Sequence, residues 1–144
     1  MICCTDFIPA YDELFKFLDK RGGHDEVVKF WEHISDVYLQ NLRELVAEHG
    51  LRGCWIYWSR TLNEEAADFA IELDEEAGEY RTKMHRCPSK GRLLDTPHIE
   101  PYYDYCGHCP VLYRRVLEPL GFEYIKDMSQ VDQARCSTII RNKT

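Results

Sequence analysis

Phe69-Ala70-Ile71-Glu72-Leu73-Asp74 decides the fold, because the hydrophobic period changes there from helical to alternating. Phe69, Ile71 and Leu73 share one face, and Gly78, four residues after Asp74, marks a turn. From Glu79 to Cys87 the alternation resumes. Tyr80, Thr82 and Met84 lie on one side and Arg81, Lys83, His85 and Cys87 on the other, until Pro88 ends the run. Two such strands around one turn predict a hairpin.

Upstream of this point the spacing is helical. Tyr11, Leu14, Phe15 and Leu18 give a short helix over 10–20, stopped by Gly22-Gly23. Val27, Phe30, Trp31, Ile34, Tyr38, Leu42 and Leu45 form one stripe over 25–49, closed by Gly50 at a C-cap. At about 1.5 Å per residue, a single helix of that extent would be close to 36 Å long. Leu51, Cys54, Trp55, Trp58 and Leu62 predict a third helix, with Trp31, Trp55 and Trp58 as core residues. Downstream, residues 96–109 read as irregular, and Pro110 suits the first turn of a helix reaching Gly121. Residues 122–126 and 135–141 predict a second hairpin. The expected architecture is α+β, with N-terminal helices packed on a mainly antiparallel four-stranded sheet built from two hairpins. One domain over 1–144 is expected, with a helical part to residue 62 and a cysteine-rich α+β part from 63.

The 144 residues carry a net charge of −7, unevenly divided. Residues 1–80 hold 7 Lys/Arg against 18 Asp/Glu, and residues 81–144 hold 11 against 7. An acidic chain argues against nucleic acid as the main partner, since that affinity rests on many phosphate contacts from Lys and Arg. The locally basic second half suits a small anionic molecule. No run is long and apolar enough for a membrane helix, and the first residues lack the order of a secretory signal. A cytoplasmic location is therefore expected. The apolar helix stripes leave burial against a second copy, a homodimer, as an open alternative.

Seven cysteines form an odd set, which argues against a closed disulfide framework and toward metal ligation or nucleophilic chemistry. Four of them, Cys87, Cys106, Cys109 and Cys136, lie in the last 60 residues. Cys3, Cys4 and Cys54 carry no informative spacing. Tyr105-Cys106-Gly107-His108-Cys109-Pro110 is a C-x-x-C before a helix, where the helix N-terminus favours thiolate. Three chemistries fit. A dithiol redox pair uses this spacing, although the strand such a fold needs directly before the motif is missing. A metal site of Cys87, Cys106, Cys109 and Cys136 would suit zinc or an iron–sulfur cluster, with His85 or His108 able to replace one sulfur for zinc. A nucleophilic cysteine would draw on a histidine and on nearby Arg or Lys, with Asp104 or Asp132 as orienting acid or general base.

The order His85-Arg86-Cys87-Pro88, Tyr105-Cys106 with Cys109 three residues on, Gly121-Phe122, and Asp132 to Cys136 before a closing strand resembles the L-2-amino-thiazoline-4-carboxylic acid hydrolase family. The resemblance implies a small α+β domain with Cys87, Cys106 and Cys136 converging on one pocket. Family members commonly carry an acidic residue where this chain has Cys109, and the extra thiol favours a four-cysteine site. The final hairpin is also similar to 4-vinyl reductase domains, which bind small ligands.

The expected function is hydrolysis of a C=N or C–N bond in a small anionic, sulfur-containing molecule. Cys106 is expected at the centre, with His108 and Asp132 as catalytic partners and Arg86 and Arg135 holding the substrate carboxylate. The alternatives are a non-catalytic metal-binding or ligand-binding domain and a thiol–disulfide oxidoreductase.

Overall fold

A computed structural model describes residues 4–144, with side chains from Asp6 onward, so the expectations for Cys3 and for the Cys4 thiol lie outside it. Ten principal elements follow in order: α1 (Cys4–Gly22), α2 (His24–Tyr38), α3 (Gln40–His49), α4 (Leu51–Glu64), β1 (Asp68–Asp74), β2 (Glu79–Arg86), α5 (Pro88–Leu94), α6 (His108–Leu117), β3 (Phe122–Asp127) and β4 (Cys136–Asn142). The fold is α+β, as the change of period at Phe69 predicts. Among the described residues no helix is long and apolar enough to cross a membrane.

The helix expected over 25–49 is two helices. The chain leaves helical geometry at Leu39 (φ −93°, ψ 29°), although the Arg43 amide still bonds the Leu39 carbonyl at 3.1 Å. This break rotates the buried stripe by one residue, so Tyr38 is 77% exposed and Leu39 is buried in its stead. Gly50 caps α3 as expected, at φ 60°, with its amide on the Val46 carbonyl at 2.8 Å. Trp31 and Trp58 are core residues, whereas Trp55 faces outward at 44% exposure.

The two hairpins lie side by side in an entirely antiparallel sheet of order β1-β2-β4-β3. Register aligns the inner face in rows. Leu73, Tyr80, Ile140 and Tyr124 form one row, and Ile71, Thr82, Thr138 and Lys126 the next. Phe69, Met84 and Cys136 form a third. Helices α4 and α6 pack on this face, and α2 packs behind α6. The main core joins Trp58 and Leu62 of α4 and Leu112, Val116 and Leu117 of α6 to Tyr80, Phe122, Tyr124 and Ile140. A second core lies between α1, α2, α5 and the 96–107 segment, built on Phe15, Val27, Trp31, Leu93, Tyr102 and Tyr105. The apolar row at Tyr80 gives way to Thr82, Thr138 and Lys126 and then to the Cys136 thiol, so the sheet has an apolar end and a reactive end.

The alternation also places Cys87 on the outer face, and here the structure differs. Strand β2 stops at Arg86, and Pro88 starts a helix the alternation does not predict, its missing N–H costing nothing at the first position. Cys87 becomes the N-cap (φ −66°, ψ 125°), and its amide bonds the Ala134 carbonyl at 2.7 Å. The turn brings its thiol to the inner side.

Candidate active site

The reactive end of the sheet opens into a cavity of about 230 Å³ between β2, β3, β4, α4, α6 and the start of α5. Cys87, Cys106, Cys109 and Cys136 all line it, each half-buried and none in a disulfide. Cys106 sits in a 3-10 turn (Tyr105–Gly107), Cys109 in the first turn of α6 and Cys136 at the start of β4. Apolar and aromatic walls come from Trp58, Leu62, Tyr80, Met84, Tyr113, Tyr124 and Ile140. Charge comes from Glu65, Lys90, His108, Lys126 and Arg135.

His108 is held by two contacts. Its Nδ1–H donates to the Tyr105 carbonyl, which directs Nε2 toward the Cys109 Sγ, 3.4 Å away. The four thiols consequently differ. Burial pushes Cys106 up to about 12 and Cys87 up to about 11, and it raises Cys136 too. Burial acts on Cys109 in the same sense, but the positive charge of His108, that of Lys126 and the His108 hydrogen bond reverse it, bringing this thiol down to about 6. His108 responds reciprocally: burial disfavours its charged form, and the Cys109 thiolate and the Tyr105 carbonyl outweigh that and raise it. Lys126 likewise stays charged, because Cys109, Tyr124 and Cys136 offset the cost of its burial. The arrangement sets the Cys109 sulfur against the His108 imidazole with the Lys126 cation lining the same cavity, and both positive groups favour the thiolate.

Of the residues predicted for the site, the structure brings together Cys87, Cys106, Cys109, Cys136, His108 and Arg135. Asp132 stands apart, exposed on a 3-10 turn (Val131–Gln133), while its neighbours Val131 and Ala134 line the cavity. Arg86 is engaged elsewhere. It pairs with Asp95 at 2.7 Å and reaches the Gly91 carbonyl at 3.3 Å, strapping α5 to β2. His85 points to the outer face and meets Asp68 at 3.0 Å. Asp104 accepts from His24 Nε2 at 2.6 Å and does not line the cavity.

The residues missed from sequence are Lys126, Tyr113, Tyr124 and Glu65. Lys126 had a readable signal, since Phe122, Tyr124 and Lys126 alternate onto one face and the first two are buried. A lysine continuing an apolar face is a cation with a reason to be there.

All four sulfurs face one cavity, yet among the described residues no three His, Cys, Asp or Glu side chains come together closely enough to hold a metal ion. The donor set therefore does not fit zinc or an iron–sulfur cluster as a preformed shell. Comparison with protein-family models, with curated proteins and with solved structures gives no match for this chain.

Proposed function

We propose that the protein is a cysteine-dependent hydrolase of the L-2-amino-thiazoline-4-carboxylic acid hydrolase type, acting on a C=N or C–N bond of a small anionic, sulfur-containing molecule. The observation that carries this reading is the 3.4 Å contact between Cys109 Sγ and His108 Nε2 inside a cavity walled by aromatic rings. Cys109 takes the central role that the sequence pattern assigned to Cys106, because it alone among the cavity thiols is lowered rather than raised. Lys126 takes the carboxylate-holding role expected of Arg86, and Arg135 stands at the rim.

The thiolate adds to the amidine-like carbon, and the C=N electron pair moves to nitrogen, which takes a proton from His108. Collapse of the adduct is driven by the lone pair of the carbon's second nitrogen, which forms a new C=N bond as the first C–N bond breaks; the N–H proton that this second nitrogen gives up passes to the leaving nitrogen, which departs as the amine. Water then adds to the carbon held on Cys109, giving a proton to the now neutral His108, and the thiolate departs. The net change is one water added across the bond cleaved. The cavity's volume suits a molecule of roughly ten heavy atoms, small against the about 300–1,000 Å³ of drug-sized sites.

Turnover of 2-amino-thiazoline-4-carboxylate and of related cyclic amides tests the proposal. Cys109→Ser is expected to abolish turnover with the melting temperature nearly unchanged. Turnover that survives in Cys109→Ser and is lost in Cys106→Ser would return the central role to Cys106. Tight binding of these compounds with no hydrolysis would replace the enzyme by a small-ligand binding domain.

A further inference from the structure

Cys106 has no part in the hydrolytic cycle, although its thiol lines the same cavity one helical turn before Cys109. Gly107 (φ −61°, ψ −21°) and His108 (φ −62°, ψ −38°), the residues between them, are both in right-handed helical geometry. Residues i and i+3 on such a turn have Cβ atoms about 5–6 Å apart, and a disulfide needs about 3.5–4.5 Å. An adjustment of an ångström or two at the head of α6 closes that gap. The next residue, Pro110, has no amide hydrogen to lose, and the amides ahead of it lie in the first turn, where helix hydrogen bonds are fewest. Both thiols are free in the structure.

We propose that this pocket also reduces small organic hydroperoxides, with Cys109 attacking the peroxide and Cys106 resolving the product as a Cys106–Cys109 disulfide. The proposal rests on Cys109 acting as the thiolate of the hydrolytic reading. Cys109 Sγ attacks the terminal peroxide oxygen, the O–O bond breaks, and the alkoxide takes a proton from His108 to leave as an alcohol. Cys109 is oxidised to the sulfenic acid as the peroxide is reduced. The Cys106 sulfur then attacks Cys109 Sγ and the S–O bond breaks. Hydroxide leaves with the Cys106 proton as water, and a small dithiol returns the disulfide to two thiols. Walls of Trp58, Tyr80, Tyr113 and Tyr124 favour an aryl or alkyl hydroperoxide over hydrogen peroxide.

The test uses the full chain, reduced and desalted without oxygen, mixed with one equivalent of cumene hydroperoxide. The expected result is stoichiometric consumption, loss of a pair of thiols and a Cys106–Cys109 disulfide on peptide mapping. Cys106→Ser should still consume peroxide once and leave a dimedone-reactive Cys109, and Cys109→Ser should consume it no faster than the Cys106→Ser/Cys109→Ser double variant. Equal consumption by Cys109→Ser and the unaltered chain, or a disulfide from Cys109 to Cys87 or Cys136, overturns the assignment. The pH profile of iodoacetamide alkylation at Cys109 separates the two readings. A midpoint near 6 with no peroxide consumption sinks the peroxide chemistry alone, and a midpoint in the ordinary thiol range sinks the thiolate that both require.

Discussion

His108 and Cys109 are adjacent in sequence on one helix, yet the imidazole Nε2 lies 3.4 Å from the sulfur. Neighbouring residues on a helix point about 100° apart and do not normally meet. The Tyr105 carbonyl resolves this, because it accepts Nδ1–H and fixes the ring at the start of α6. Phe15 and Trp31 of the second core stand within 6.4 Å of the ring and wall it in on the far side. The second core thus positions the base, and the sheet supplies the cavity into which the thiolate faces.

The first prediction concerns pH. The Cys109 thiol lies below its unfolded value, so the stability its thiolate contributes is present above about 9 and lost as pH falls through about 6. His108 is raised, so its imidazolium contributes below its ordinary value and is lost as pH climbs through the folded one. Replacing His108 by Gln should move the alkylation midpoint of Cys109 up from about 6, since burial then opposes the thiolate with Lys126 alone to offset it. A midpoint that does not move would mean that Lys126 alone sustains the thiolate.

Lys126→Met tests the anion subsite. Methionine keeps the length of the side chain and removes the charge, and loss of a charge-assisted contact worth about 1.5–3 kcal/mol corresponds to roughly 10- to 100-fold in kcat/KM, taken mainly in KM. Because Cys109, Tyr124 and Cys136 offset the burial of this cation, removing it leaves the Cys109 thiolate with one partner fewer and should lower the melting temperature modestly. A KM that climbs together with a small fall in melting temperature is the expected pair of results. A falling melting temperature with unchanged KM would make Lys126 a structural residue.

What could be read in the chain follows from how local each signal is. The hairpins were legible because Phe69-Ile71-Leu73 and Tyr80-Thr82-Met84 each alternate within a few residues, and their antiparallel pairing needs only a short turn. The break at Leu39 was not, because the apolar stripe runs on across it and Gly or Pro is absent there. The cavity was half legible. Cys106, His108 and Cys109 form a contiguous motif, and Cys87 and Cys136 were added by chemistry, but Lys126, Tyr113 and Tyr124 reach the cavity only through the pairing of β3 with β4 and the packing of α6. Asp132 and Arg86 show the converse: each neighbours a cavity residue in sequence and faces elsewhere.

Gly53 governs the crossing of α3 and α4. A Cβ built there would stand 2.3 Å from the Leu45 carbonyl oxygen and 2.7 Å from the Val46 amide nitrogen, both backbone atoms that cannot swing aside. Gly53→Ala should therefore push α4 off α3 and cost about 1–3 kcal/mol, measured by denaturant unfolding, against the small gain alanine brings to an open helix position. Since α4 carries Trp58 and Leu62 into the cavity wall, KM should rise with it. A neutral or stabilised variant would show that the two helices pack less closely than this.

Asp12 ties the segment before the site to α1. It is fully buried, its Oδ1 accepts the Tyr102 amide at 2.8 Å, and Lys16 Nζ stands 3.0 Å from Oδ2 as an ion contact rather than a directed hydrogen bond. Asp12→Ala leaves the Tyr102 amide without its acceptor in a buried position, a loss of about 1–3 kcal/mol in unfolding free energy. The local consequence reaches further, because Tyr102 is followed three residues later by Tyr105, whose carbonyl orients His108. Freeing that segment should loosen the imidazole and raise the alkylation midpoint of Cys109, although Asp12 lies outside the cavity lining. Asp12→Asn retains an oxygen for the Tyr102 amide and should restore most of both quantities. Equal damage from Asn and Ala would place the effect in the lost charge beside Lys16 instead of the hydrogen bond.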